Sequence, residues 1–200
     1  MKIAIIGEGK GAELIDRHFK EMLDPYEGKV EWSFFDELKG KPLTEIPEDH
    51  KLIISSSNMQ FRRRIFAQYP RDRFINVNRS DDGMQQMGFG NLISPNVHFD
   101  YFAEIGDNNV ISNGTIINHH CKVGSGNLFG TGCLLNGSVT IGDNCTIGAG
   151  VIFEPKVRIG NDCVIVSGSV ICGDLPARAK VLVNKSLEYG PIYQGNRIIR

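Results

Sequence analysis

From Ile93 to Ile171 every sixth residue is large and apolar: Ile93, Phe99, Ile105, Ile111, Ile117, Val123, Phe129, Leu135, Ile141, Ile147, Phe153, Ile159, Ile165 and Ile171. A period sustained over that length marks a repeat architecture. Four positions after most of these stands a smaller residue, as at Val97, Ala103, Thr115, Cys121, Cys133, Val139, Cys145, Val151, Val157, Cys163 and Ser169. The position directly after the large residue is mostly small or polar (Ser94, Gly106, Ser112, Asn118, Gly124, Gly130, Asn136, Gly142, Gly148, Gly160). It reads as the corner residue that takes a left-handed backbone angle. A large inward residue, a corner and a small inward residue make one side of a triangular coil. The span 93–172 then predicts roughly four coils of parallel β-helix, each covering the next.

The first ninety residues are patterned differently. Lys2–Ile6 is a short apolar run that ends in Gly7-Glu8-Gly9-Lys10-Gly11-Ala12, and an amphipathic segment follows with Ile15, Phe19, Met22 and Leu23 on one face. Val30–Phe35 predicts a second strand ending at Asp36-Glu37, Leu52–Ser56 a third, and Phe74–Val77 a fourth. A helix with Phe61, Ile65 and Phe66 inward joins the last two. This is an α/β half-Rossmann pattern with a small parallel sheet. Gly7, Gly9 and Ala12 fit G-x-G-x-x-[GA] between a strand and a helix, where backbone N–H groups face a phosphate. The same small residues also suit a plain strand-to-helix turn. Asp36 closes the second strand, where a carboxylate reaches a ribose or a base. One such half argues for a mononucleotide-bearing ligand over NAD. The polar stretch Arg79–Phe89 reads as a connection. The expected organisation is a small α/β nucleotide-binding domain over 1–90, a β-helix over 91–175 and a C-terminal extension over 176–200.

Composition narrows the function classes. With 22 basic and 23 acidic residues the net charge is −1, which disfavours a general nucleic-acid binder. No apolar run approaches the roughly 20 residues that span a bilayer, and the N-terminus has no signal-peptide pattern, so a cytoplasmic protein with reduced cysteines is expected. Cys121, Cys133, Cys145 and Cys163 fall in the small inward frame, which favours packing over metal binding. No C-x-x-C pair exists to suggest zinc.

A half-Rossmann domain running into hexapeptide repeats resembles the nucleotide-sugar acyltransferases of the NeuD/PglD type, which include UDP-4-amino-sugar N-acetyltransferases and sialic-acid O-acetyltransferases. The resemblance covers roughly residues 1–185. It implies a left-handed helix, a homotrimer with sites in the clefts between subunits, acetyl-CoA as acyl donor, and a role in surface-polysaccharide or glycan biosynthesis. It places the donor nucleotide at Gly7, Gly9, Asp36 and Glu37, with Lys10 offering charge to a pyrophosphate. The segment Asn118-His119-His120-Cys121-Lys122-Val123-Gly124 resembles the family's catalytic stretch and makes His119 the base. His119 follows Ile117 by two, so it projects from a corner, where a neutral imidazole takes a proton from an attacking amine or hydroxyl. Gly137, one coil on, offers the N–H that holds the thioester carbonyl in the family. Gly148, Ser167 and Gly168, with the basic residues Arg178, Lys180 and Lys185, are expected to receive coenzyme A. Three positions depart from the family. His120 stands where an acid orients the base, Leu128 where a second histidine falls, and Gly11 where the N-terminal loop carries histidine. These departures keep open a non-catalytic trimeric nucleotide-sugar-binding or scaffold relative. A γ-type carbonic anhydrase needs a His-x-x-x-x-His pair, which His98, His119 and His120 do not form.

Overall fold

The computed structural model describes residues 1–7, 31–36, 41–78 and 86–182. The chain divides into two compact units, one of residues 1–77 and 89–92, the other of 78–88 and 93–200.

In the first unit, β1 (Lys2–Gly7), β2 (Glu31–Asp36) and β3 (Lys51–Ser55) form a parallel sheet in the order β2-β1-β3. Ile3, Ala4, Ile5 and Ile6 are all buried because the central strand is covered on both faces. Ala4 and Ile6 pack with Phe35, Leu52, Ile54, Phe61 and Ile65, while Ile3 and Ile5 pack with Ile53 and Val77. Helix α1 (Met59–Gln68) covers the first of these layers. The Asn58 side chain caps it, accepting from the Gln60 and Phe61 N–H groups at 3.1 and 3.2 Å. The predicted fourth strand over 74–77 is reduced to a single bridge between Leu52 and Phe74 and a two-residue strand at Val77–Asn78.

Arg62 of α1 is fully buried. Its guanidinium donates to the carbonyls of Ile54 (2.6 Å), Ser56 (3.1 Å) and Gly90 (2.5 Å). Burial pushes its pKa down to about 9, and no carboxylate pairs with it among the described residues.

The second unit is a left-handed parallel β-helix of about 5 turns. Its sides are two-residue strands in three parallel sheets. One sheet stacks Gln86–Met87, Glu104–Ile105, Lys122–Val123, Thr140–Ile141 and Arg158–Ile159. The second stacks His98–Phe99, Ile116–Ile117, Leu134–Leu135, Ile152–Phe153 and Val170–Ile171. The third runs through Val110–Ile111, Leu128–Phe129, Thr146–Ile147, Val164–Ile165 and Lys180–Val181. The third sheet also takes in Leu92–Ile93 and Val77–Asn78, and pairing includes Gln86–Met87, inside the stretch read as a connection, and continues to Val181. All fourteen residues of the six-step column point inward and none exceeds 6% exposure.

The smaller inward column has a second duty. Each corner turns one carbonyl into the interior, and that oxygen needs a donor. Thr115 Oγ1 donates to Gly130 O (3.3 Å), Cys133 Sγ to Gly148 O (3.2 Å), Cys145 Sγ to Gly160 O (3.2 Å) and Cys163 Sγ to Pro176 O (3.3 Å). The four inward cysteines are buried and unpaired, and Cys172 is exposed. Asn109 and Asn127, absent from the predicted column, occupy the same frame fully buried. They form a ladder in which Asn109 Oδ1 accepts from Asn127 N and Asn127 Oδ1 from Cys145 N.

The corner assignment needs a correction. The residues with positive φ are not those directly after the large residue but those three after it, among them Asn96, Asn108, Gly114, Gly126, Gly132, Asn144, Gly150 and Gly168. The position directly after the large residue is small for a steric reason. A Cβ at Gly130 would lie 2.8 Å from the Gly148 carbonyl carbon and from Ala149 Cα of the next coil.

Candidate functional site

One corner of the β-helix stacks Asp100-Tyr101-Phe102, Asn118-His119-His120, Asn136-Gly137-Ser138 and Glu154-Pro155-Lys156. The turns are stitched along the stack: His120 N donates to Tyr101 O, Ser138 N to His119 O and Lys156 N to Gly137 O, at 3.1, 2.9 and 3.0 Å. His119 and His120 are both exposed. Their Nδ1 atoms are 3.1 Å apart.

His119 lies over Gly137. A Cβ built on Gly137 would sit 2.5 Å from His119 Cε1 and 2.7 Å from Nε2, so the imidazole fills the space that any larger residue would need. At the middle position of four turns on the other corners the N–H is taken by a side chain from the next coil: Asp107 N by Ser125 Oγ, Ser125 N by Asp143, Asp143 N by Asn161 and Ala149 N by Ser167 Oγ. The residue above Gly137 is Pro155, which has no polar side chain. No described residue accepts from the Gly137 N–H. The His119 ring thus lies against a residue of the adjacent coil whose N–H has no partner among the described residues. The sequence signal for this was the lack of Ser, Asp or Asn at both 137 and 155, which no reading of single residues detects.

The remaining expected site residues are spread over the chain. Gly148, Ser167 and Gly168 share a different corner, where Ser167 Oγ accepts from Ala149 N at 3.0 Å and Gly168 has φ +75°. Arg178 stands on the third corner with φ 66°, and Lys180 is exposed on the strand after it. In the first unit Gly7 pairs in register with Asp36 and with Ser55 at the ends of their strands. Asp36 is 4% exposed, and Ser55, which the sequence did not single out, has a buried hydroxyl without a partner among the described residues. Gly9, Lys10, Glu37 and Lys185 lie outside the described residues. The described residues hold no cluster of three metal-ligating side chains, and no described helix is long and apolar enough to cross a membrane.

The outward residues of the three sheets differ in character. One face carries Gln86, Glu104, Lys122, Thr140 and Arg158, with Lys122 and Glu104 paired at 2.9 Å. A second carries His98, Ile116, Leu134, Ile152 and Val170. The third carries Val110, Leu128, Thr146, Val164 and Lys180. The His119 corner and the Gly148 corner are the two edges of the second, apolar face.

Fold and corner chemistry together define a hexapeptide-repeat left-handed β-helix. The family model described as bacterial transferase hexapeptide (six repeats) matches residues 120–154 and 138–173. No curated protein sequence matches the chain. Among solved structures the chain is similar to PerB from Caulobacter crescentus in complex with CoA and GDP-perosamine, at 23% identity, covering 90% of this chain and 93% of that one, with a TM-score of 0.73. It is similar to the acetyltransferase domain of PglB from Neisseria gonorrhoeae FA1090 in complex with acetyl coenzyme A, at 18% identity, with 90% and 94% covered and a TM-score of 0.68. It is also similar to WeeI from Acinetobacter baumannii AYE, at 20% identity, with 92% and 98% covered and a TM-score of 0.72.

Proposed function

We propose that this protein transfers the acetyl group of acetyl coenzyme A to the amine of a nucleotide-linked amino sugar. The observation that carries the reading is His119 Nε2 lying against Gly137, 2.7 Å from where a Cβ on that residue would sit. The amine lone pair attacks the thioester carbonyl and Nε2 takes the amine proton. The Gly137 N–H donates to the developing oxyanion. Collapse breaks the C–S bond, and the imidazolium returns its proton to the departing thiolate. No covalent enzyme intermediate is required. Solved relatives in this fold carry CoA with GDP-perosamine, or acetyl coenzyme A, and the GDP-perosamine enzyme is also known with one histidine exchanged for asparagine or alanine.

Within one chain His119 and the expected coenzyme A residues occupy separate corners, and a homotrimer would unite them. With the Ile116–Leu134–Ile152–Val170 face turned toward a threefold axis, the His119 corner of one subunit meets the Gly148, Ser167 and Gly168 corner of the next. The polar face then remains in solvent, and Arg178, Lys180 and Lys185 supply positive charge for the coenzyme phosphates. The N-terminal unit acts as a half-Rossmann holder of the nucleotide. Gly7, Gly9 and Lys10 are its candidates for the pyrophosphate, and Asp36 and Glu37 for the ribose or base.

The test is thiol release from acetyl coenzyme A in the presence of UDP- and GDP-4-amino sugars. His119→Ala should lower kcat by roughly 10²–10⁴ with little change in KM. Unchanged turnover in that variant, or no transfer to any nucleotide amino sugar, would refute the reading.

A further inference from the structure

We propose that His120 is a positioning residue that fixes the tautomer of His119, so that the two imidazoles act as one unit and the base works only while both are neutral. This rests on the reading of His119 as the base.

The geometry is a ring nitrogen to ring nitrogen contact, Nδ1 to Nδ1 at 3.1 Å, with the rings at 84° and centroids 5.3 Å apart. Such a bond needs one N–H and one lone pair, so only two neutral arrangements exist. If His119 Nδ1–H donates to His120 Nδ1, the lone pair of His119 is on Nε2, beside Gly137, where a proton has to be accepted. If His120 donates instead, Nε2 of His119 carries hydrogen and cannot act as a base. A carboxylate at 120 can only accept and therefore enforces the first arrangement. A histidine enforces it only when neutral and protonated on its own Nε2. Protonating His120 puts hydrogen on its Nδ1 and reverses the bond, and protonating His119 fills Nε2 directly. One proton anywhere in the pair removes the base.

The surroundings hold His120 for this task. The Phe102 ring packs on its imidazole from the coil below, with centroids 5.0 Å apart and planes at 35°. Both residues sit in the left-handed region, with φ 62° at Phe102 and 58° at His120, where most equivalent positions carry Gly or Asn. The titratable groups on the adjoining turns are Asp100, whose Oδ1 accepts from Tyr101 N at 2.7 Å, and the Tyr101 phenol. The turn above offers only Asn136, Gly137 and Ser138. The following strand carries Lys122, already paired with Glu104, and Glu154 and Lys156 stand two coils up.

The experiment uses the full chain with ¹⁵N-labelled histidine, together with His120→Ala, His120→Asn and His120→Asp. Ring ¹⁵N shifts near pH 8 should show His119 with hydrogen on Nδ1 and a bare Nε2. His120→Ala should return His119 to the Nε2–H form favoured by an isolated imidazole, and should lower kcat about tenfold at constant KM. Asparagine at 120 accepts from Nδ1 without titrating, so it should recover most of that loss. Aspartate should also restore kcat at high pH, but its charge stabilises the His119 imidazolium and should move the acid limb up by about one pH unit. The proposal is overturned if wild-type His119 carries hydrogen on Nε2, if His120→Ala keeps the wild-type tautomer, or if Asn is as impaired as Ala. Circular dichroism separates misfolding from these outcomes. A wild-type protein that transfers no acetyl group would defeat the proposed function, while the ring shifts would still decide the tautomer.

Discussion

Replacing Gly137 by alanine separates two kinds of glycine in this β-helix. Gly137 is not among the positive-φ residues, so alanine fits its backbone. The new methyl would meet His119 Cε1 at 2.5 Å and Nε2 at 2.7 Å, against ordinary contacts of 3.4–4 Å. The ring must retreat by about 1 Å, and because His119 is exposed it can swing into solvent without disturbing the core. The stability cost should stay within about 0.5 kcal/mol, as for most surface changes. A displacement of that size at a reacting group costs about 10²-fold in rate, although the Gly137 N–H is still present. Gly130→Ala is the contrasting variant. Its methyl would press on Gly148 C and Ala149 Cα at 2.8 Å, which are backbone atoms that cannot rotate away. It should cost about 1–3 kcal/mol of stability. Steady-state kinetics and urea unfolding of the two variants measure both quantities. If Gly137→Ala retains wild-type kcat, or unfolds as early as Gly130→Ala, the placement of the base against Gly137 is wrong.

Light scattering should give about 67 kDa, three chains of 22.2 kDa, and Leu134→Glu on the apolar face should shift the mass toward one chain; a wild-type monomer would refute the shared site. Arg62→Met strands the carbonyls of Ile54, Ser56 and Gly90 and should cost about 3 kcal/mol or more, read as a lowered urea midpoint; an unchanged midpoint would mean those oxygens find water. Burial raises the Cys145 thiol from 9.0 to about 11, so the folded chain keeps a proton that the unfolded chain loses above about pH 9. Stability should therefore be level below pH 8 and decline between about pH 9 and 11, by up to about 2–3 kcal/mol from this thiol. Burial also raises the Cys121 and Cys133 thiols, so Cys145→Ala should decline less steeply than wild type, and identical profiles would refute the assignment to Cys145.

The β-helix was legible because its three-dimensional neighbours recur at a fixed interval in the chain. Ile117 lies on Leu135 and Leu135 on Phe153, so one column of large residues records the whole core. The turns were less legible, since two different constraints both select glycine. Gly126 and Gly132 are small for their positive φ, Gly130 and Gly142 for their closeness to the coil above. Composition alone cannot separate the two, which is why the left-handed position was expected at the wrong step. In the N-terminal unit the three strands stood out as apolar runs. The short segment after α1 did not become a full strand on β3 because its pairing divides: Phe74 bridges Leu52, while the Val77 N–H bonds the Asn91 carbonyl.

The candidate site shows the same limit from the other side. His119 could be singled out by its motif, but what makes it chemically interesting is a relation between coils. Gly137 leaves room for the ring, Pro155 leaves the Gly137 N–H without an acceptor, and Phe102 backs His120 from below. Each of these residues is unremarkable where it stands in the chain. They form a site only because an interval of 18 residues places them in one stack. His120 changes meaning in that light. Against a sequence motif it is a missing carboxylate; in the structure it is a ring nitrogen 3.1 Å from the base, able to supply the same acceptor by a route that closes when it is protonated.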